Sequence, residues 1–241
     1  MNAVLLAAGR GTRMGQLTAT TPKPLLPLRG RPIIEHILLS MRRAGVGRAI
    51  IVTGYRGEQI EGHLGDGSKL GLTLEYRRQH QPTGTATALL LARDALGDEP
   101  FLLSWGDIVV DERVYSDLAG AFDSAPCDAL LCVNPVDDPW RGAAVTVDAE
   151  WRVTRLVEKP PRGTAQTRWN NAGIFMFDNL VLTYAEGVSA SERGEYELPQ
   201  AIAAMVAEGR NVRAHPLTGF WSDLGTPADL TAAEEALAKR V

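Results

Sequence analysis

The segment VLLAAGRGTRMGQLTATTPKPLLPL, residues 4–28, concentrates the residues best suited to chemistry. Gly9 and Gly11 stand where an apolar run hands over to a loop, and glycine there lets backbone N–H groups close on phosphate oxygens. Arg10, Arg13 and Lys23 add three cations. Lys23 lies between Pro22 and Pro24, whose fixed φ stiffens the backbone and argues for a positioned ammonium group. Such a loop would hold a phosphate-bearing polyanion. Two widespread phosphate motifs are excluded. A dinucleotide fingerprint would need glycine at position 14, which is Met14, and an acidic residue closing the second strand, where IVTGY has none. The pattern G-x-x-x-x-G-K-[ST] does not occur. His36, His63, His80 and His215 are scattered without the spacing of metal ligands, so no zinc site is inferred.

Strands and helices must present that loop. Ala3–Ala8 is a continuous apolar run, as expected of a strand buried on both faces of a parallel sheet. Pro32 suits the first turn of a helix on which Ile33, Ile34, Ile37, Leu38 and Met41 form one stripe, with Gly45 just past its end. RAIIVTG reads as the next strand and EQIEGHL as a short helix. LTLEY and PFLLSW read as strands flanking a helix over TATALLLARDAL. A helix near Arg113–Phe122 leads into the strand DALLCV. After about residue 140 the pattern changes. GAAVTVDAEWRVTRLVEKP predicts two antiparallel strands around a turn at Asp148–Glu150, and AGIFMF a further strand. Helices near Leu198–Glu208 and Pro227–Lys239 close the chain, the last with Thr226 as N-cap, Pro227 at N1 and Asp229 at N3. The alternation predicts an α/β fold, a doubly wound, mostly parallel sheet with helices on both faces and a smaller antiparallel part. With no linker, repeat or low-complexity segment, residues 1–241 are expected to form one domain, with halves of about 1–135 and 136–241.

Composition narrows the classes of partner. The 241 residues are 45% hydrophobic and 22% charged, ordinary for a globular chain, and the formal net charge of −4 argues against a nucleic-acid or anionic-membrane partner. The N-terminus has no basic leader region, and its apolar run is far too short to span a bilayer, so a cytoplasmic location is expected. Cys127 and Cys132 in CDALLCV would lie on opposite faces of a strand, poorly placed to bridge, and read as reduced, buried hydrophobes. Self-association as a homo-oligomer is left open by the sequence.

The stretch LAAGRGTRMGQLTATTPKPLLPLRGRPIIEHIL resembles the signature of the sugar-1-phosphate nucleotidylyltransferases, whose pattern runs L-A-[AG]-G-x-G-T-R-[LM] and then a lysine in P-K-x-[LM]-x-P. The likeness continues in the family's order at QHQPTGTATAL, WGDI, VEKP, NNAGIF and WSDLGTP. It implies a Rossmann-like fold with a smaller sugar-binding part, and transfer of a nucleotidyl group from an NTP to a sugar 1-phosphate with release of pyrophosphate. The nucleophile would be a phosphate oxygen, already anionic at neutral pH, so positioning and charge screening matter more than a strong base. By the resemblance, Leu6, Ala7, Ala8, Gly9, Gly11, Thr12, Gly84 and Thr85 lie on the nucleotide side. Arg13 is implied at the departing pyrophosphate, where its fork is well suited, and Lys23 at the α-phosphate and the sugar phosphate. Arg10 reads as a surface charge.

Asp107 ends the run FLLSWGD, at the carboxyl end of a predicted strand, and Asp223 lies in FWSDLGT. Taken alone they would read as a turn residue and a surface or capping residue. The resemblance implies that they converge as the two carboxylates holding a catalytic Mg²⁺. Glu158, Lys159, Asn171 and Gly142 match positions that contact the sugar or its phosphate, while Glu195 and Glu197 in GEYELPQAI carry no implied role.

Gln79, five residues before Gly84, matches a glutamine that reads the pyrimidine edge in uridylyl- and thymidylyltransferases. Its amide offers a donor and an acceptor, and UTP is the expected donor nucleotide, ahead of dTTP, CTP and GTP. Ala7–Ala8, where many relatives have A-G, leans the same way. The sequence ends about one helix after WSDLGTP, so neither a β-helix acetyltransferase domain nor a long C-terminal extension is expected. Glu158 and Asn171 favour a polyhydroxylated acceptor over choline. Trp105, just before GDI, departs from the small or polar residue expected there. Two competing readings are weaker. A non-catalytic regulator would be expected to have lost Lys23, Arg13 or an aspartate, and a glycosyltransferase would call for D-x-D, whereas Asp111 falls four residues after Asp107.

Overall fold

Ala3, Leu5 and Ala7 face one apolar layer and Val4 and Leu6 the other, and all five are buried, so strand β1 (Asn2–Ala7) is covered on both sides. The computed structural model describes residues 1–239. After β1 come the short hairpin β2 (Pro27–Leu28) and β3 (Arg31–Pro32), helix α1 (Ile33–Arg43), β4 (Arg48–Thr53), α2 (Gly57–Leu64) and β5 (Thr73–Arg78). Then follow α3 (Thr85–Leu90), α4 (Arg93–Leu96), β6 (Phe101–Trp105), β7 (Ile108–Val110), α5 (Val114–Ser124) and β8 (Ala129–Pro135). The second half supplies β9 (Ala143–Val147), β10 (Val153–Glu158), β11 (Trp169–Phe177), α6 (Leu180–Glu186), α7 (Leu198–Ala207), β12 (Val212–Pro216), β13 (Trp221–Asp223) and α8 (Pro227–Ala238).

Nine strands form one sheet in the order β10-β9-β11-β6-β1-β4-β5, with β8 beside β11 and β12 beside β8. Strands β6, β1, β4 and β5 are mutually parallel, and β8 and β12 are parallel to each other. Strand β11 runs antiparallel to β6, β8 and β9, which joins the two halves through continuous backbone hydrogen bonds. Helices α1, α2, α5 and α8 contribute to one core layer, and α3, α4, α6 and α7 to the other. The expected fold class therefore holds, with the antiparallel part concentrated around β11.

Several local expectations hold in detail. The stripe Ile33, Ile34, Ile37, Leu38 and Met41 is buried, and β9 and β10 pair antiparallel across the turn at Asp148–Glu150. Thr226 caps α8, with Asp229 at the third position completing a reciprocal capping box. Three readings need correction. Pro32 stands just outside α1, as its N-cap, rather than within its first turn. The helix expected over TATALLLARDAL is broken at Leu91–Ala92 into α3 and α4. Cys127 precedes β8, so alternation along a strand does not apply to it. Both cysteines are free and share one apolar layer, where burial pushes the Cys127 thiol up to about 11 and Cys132 to about 12. Among the described residues no helix is long and apolar enough to cross a membrane.

Candidate active site

The carboxyl ends of β1, β5 and β6 open onto a cavity of about 880 Å³, the place where open α/β sheets bind ligands. Leu6, Ala7, Ala8, Gly9, Gly11, Thr12 and Arg13 line it from the end of β1 and the loop that follows, and Gln79, Gly84 and Thr85 from the far side. That loop is held internally: the Gly11 carbonyl accepts from the Met14 N–H at 2.9 Å and the Thr18 hydroxyl at 3.0 Å. The turn after β4 clamps it from outside, with Tyr55 donating to the Ala19 carbonyl at 3.1 Å and Arg56 at 3.0 Å. Arg10 lies over the Tyr55 ring, 5.5 Å from its centroid, and does not line the cavity.

Gly84 ties this region to the other end of the cavity. Its φ is +128°, and a Cβ there would sit 2.2 Å from the Tyr196 carbonyl oxygen. The close approach lets Ala86 N–H donate to that carbonyl and Tyr196 N–H to the Thr83 carbonyl, at 2.9 and 2.8 Å. Gln79 donates its amide N–H to the Gly84 carbonyl at 3.0 Å and lies 3.2 Å from the Thr87 hydroxyl. The carbonyl can only accept, so the amide orientation is set and the acceptor Oε1 is the end left for a ligand.

Lys23 occupies the middle of the cavity. Its ammonium is buried, 2.7 Å from Asp107 Oδ2 and 4.0 Å from Asp223 Oδ1. A short 3₁₀ turn over Lys23–Leu25 aims it there, closed by Leu25 N–H to the Pro22 carbonyl and Leu26 N–H to the Lys23 carbonyl. Asp107 and Asp223 meet because β7 and β13 pair antiparallel, with Asp223 opposite Ile108 and the Leu224 N–H donating to the Asp107 carbonyl at 3.1 Å. Arg13 converges on the same point. A Cβ on Gly225 would be 3.2 Å from its Nη1 and 3.3 Å from Asp223 Oδ1.

Burial raises the Asp223 carboxyl above its ordinary range, the nearby Asp107 charge adds to the rise, and Lys23 and Arg13 oppose it. Asp223 Oδ1 is buried without a hydrogen-bond partner. A pair of carboxylates with one unsatisfied oxygen fits a hard divalent cation such as Mg²⁺, which takes oxygen ligands and fills its remaining positions with water and phosphate oxygens. Among the described residues no cluster of three or more His, Cys, Asp or Glu side chains could hold a metal ion.

The opposite end is lined by Gly142, Glu158, Lys159, Asn170 and Asn171, together with Trp105, Trp140 and Trp221. Gly142 abuts Asn170, whose amide donates to Asn134 Oδ1 at 3.0 Å. Glu158 and Glu197 face two cations. Arg193 holds Glu197 at 2.5 and 2.6 Å and lies 3.8 Å from Glu158, while Lys159 lies 3.7 Å from each carboxylate. Glu197 is fixed as the N-cap of α7 in a capping box with Gln200. Burial, and then the Glu197 charge, push Glu158 up to about 7. Glu158 Oε2, Asn171 Nδ2 and Trp105 Nε1 are buried polar atoms without partners. Four of the five such atoms among the described residues, counting Asp223 Oδ1, therefore belong to residues that line one cavity.

All seventeen residues singled out by the sequence line this cavity. Arg193, Glu197 and the wall of tryptophans were not assigned there. Arg193 and Glu197 are four residues apart, ahead of and at the start of α7, and only their approach to Glu158 from another strand gives them a place in the site.

Comparison with known proteins agrees with this architecture. A family model described as nucleotidyl transferase matches residues 2–240, and the chain belongs to that family. It is 33% identical over 98% of its length to the low-salt glycan biosynthesis nucleotidyltransferase Agl11 of Haloferax volcanii. It is 32% identical over 95% of its length to a glucose-1-phosphate thymidylyltransferase of Streptomyces griseus. The chain spans 65% and 64% of those two relatives. A structure from Bacillus anthracis, assigned as a glucose-1-phosphate thymidylyltransferase and in complex with sucrose, superposes with a TM-score of 0.88 at 27% identity, covering 100% of this chain and 96% of that one. A UDP-glucose pyrophosphorylase complexed with UDP-glucose shares the fold, with a TM-score of 0.89 at 21% identity over 100% and 99% of the two chains.

Proposed function

We propose that this protein transfers a nucleotidyl group from a nucleoside triphosphate, preferably UTP, to a sugar 1-phosphate, as an enzyme acting in the cytoplasm. An oxygen of the sugar phosphate attacks the α-phosphorus, a new P–O bond forms there, and the bond to the β-phosphate oxygen breaks to release pyrophosphate. The observation that carries this reading is the single cavity in which Lys23, Arg13, Asp107 and Asp223 stand between a glycine loop and a wall of carboxylate, amide and indole groups. Residues of about 1–135 would hold the nucleotide, and the later segment the sugar.

Two anions must be brought into line, and the chain's own cations perform most of that work. Lys23 neutralises charge where the α-phosphate and sugar phosphate meet, Arg13 takes the departing pyrophosphate, and N–H groups of the Gly9–Thr12 loop orient the triphosphate. Asp107 and Asp223 would hold Mg²⁺, which supplies charge neutralisation on phosphate oxygens when bound. Glu158, Lys159, Asn171 and Gly142 contact the sugar. The acceptor that Gln79 keeps free of the Gly84 carbonyl complements the N3–H of uracil or thymine and meets a lone pair on cytosine N3. Glu158 and Asn171 offer acceptor and donor to sugar hydroxyls, and Trp105, Trp140 and Trp221 supply flat apolar faces.

The decisive experiment measures pyrophosphate release over a matrix of nucleotides and sugar 1-phosphates, with and without Mg²⁺. UTP and dTTP are expected to exceed CTP by about tenfold or more in kcat/KM, the scale of one misdirected polar contact. Activity with no pair would sink the reading, and a preference for CTP would overturn the role of Gln79.

A pH profile tests the sugar end separately. Glu158 sits near 7, so it is protonated at pH 6 and ionised at pH 8, and only the carboxylate is a full acceptor for hydroxyls. The KM for the sugar 1-phosphate should therefore fall as pH rises through about 7 in the wild type. Glu158→Gln should remove that component and leave only the titration of the sugar phosphate. An identical profile in the two proteins would refute it.

A further inference from the structure

We infer that Trp105 is a specificity-determining residue of the sugar end, its indole N–H donating a hydrogen bond to a hydroxyl or carbonyl oxygen of the bound sugar, remote from the reacting phosphate. The inference rests on the sugar 1-phosphate reading and deepens it. Trp105 closes β6 and lines the cavity, with its ring half-buried and its Nε1 buried without a partner. Trp221, which lines the same cavity, shows the contrast: its indole N–H donates to the Ala172 carbonyl at 2.9 Å. A buried N–H left unpaired is costly and rare in a folded chain, and a ligand acceptor resolves the cost.

The ring is held in place by the fold. Gly173, opposite the end of β6 on β11, has a φ of +78°, and a Cβ there would lie 2.4 Å from Trp105 Cε3. The indole therefore lies across bare backbone that a larger residue would obstruct. Its other neighbour is Phe175, edge-on at 5.9 Å and 65°. Asn171, two residues before Gly173, also has an unpartnered amide nitrogen, and Glu158 has an unpartnered carboxylate oxygen. Two donors and one acceptor on residues that line the cavity are thus left unpaired, a set matched to a polyhydroxylated ring. An indole can only donate, so what Trp105 reads must be an oxygen lone pair.

Trp105→Phe keeps an aromatic ring against Gly173 and Phe175 and removes the N–H. Steady-state kinetics are measured with the best nucleotide and with the best sugar 1-phosphate found in the matrix above, together with its single-deoxy analogues. The KM for the intact sugar should rise about tenfold, while the KM for nucleotide stays unchanged. One deoxy analogue should cost the wild type the same factor and cost the variant nothing further, since the partner is already gone. In ¹⁵N-indole-labelled protein, the N–H signal absent from the variant should move downfield when the NDP-sugar product is added. Equal sugar KM in both proteins would overturn the inference. So would an unmoved indole signal, or a variant whose nucleotide KM rises along with the sugar KM, which marks a structural role. A wild type that turns over no sugar 1-phosphate would overturn the underlying reading and the role of Trp105 together.

Discussion

Lys23→Ala is expected to lower kcat by about a hundredfold to a thousandfold, the scale seen when one preorganised charge-stabilising donor is removed from a site. The ammonium is buried, so the charge it offers is little screened by water. It stands between two carboxylates, at 2.7 and 4.0 Å, which fixes its position before any substrate arrives. Its removal has a second consequence. Asp107 and Asp223, both partly exposed, would face each other with Arg13 as their remaining nearby cation, and two like charges at close range are destabilising. The thermal midpoint of the variant should fall in metal-free buffer and recover when Mg²⁺ is added, because a divalent cation can replace the missing charge. Turnover within about threefold of the wild type would remove Lys23 from the mechanism, since the expected loss is at least a hundredfold. Lys23→Arg is expected to be impaired as well, because the planar guanidinium cannot take the place of a compact ammonium in that space.

Asp223→Asn is expected to cost at least about a hundredfold in turnover and to raise the Mg²⁺ concentration needed for half-maximal rate. The sign of its effect on stability is opposite. Burial and the Asp107 charge hold the folded-state pKa of Asp223 above its unfolded value. Stability from this group is therefore complete below the unfolded value and is lost as pH rises through the raised one. Without metal, at pH above its raised pKa, the Asp223 carboxylate is a liability that asparagine relieves. The variant should be at least as stable as the wild type in EDTA while nearly inactive. Calorimetry and the rate assay read the two effects independently, and a variant that is both unstable and metal-indifferent would contradict the assignment.

These two effects depend on a meeting that no local pattern in the chain encodes. Asp107 and Asp223 are 116 positions apart, and their approach requires the β7–β13 pairing, whose three-residue strands are too short to register as a periodic signal. The same limit hid β12 and α6, and it hid the convergence of Arg193 and Glu197 on Glu158. The break of the predicted long helix into α3 and α4 has a related origin, because TATALLLARDAL holds no Gly or Pro to mark where a helix should stop.

Much else was readable from residue order alone. The buried run of β1, the apolar stripe of α1, the Thr226 capping box and the glycine loop depend on neighbours within a few positions, and there side-chain chemistry and backbone preference act directly. Local sequence thus determined the elements and the kind of ligand the first loop suits. Only tertiary structure decided that Lys23 lies between Asp107 and Asp223, that Gln79 presents its acceptor, and that the Trp105 indole nitrogen is left without a partner. Each of those is a distance between strands or loops far apart in sequence, set by sheet register and core packing rather than by any residue's own propensity.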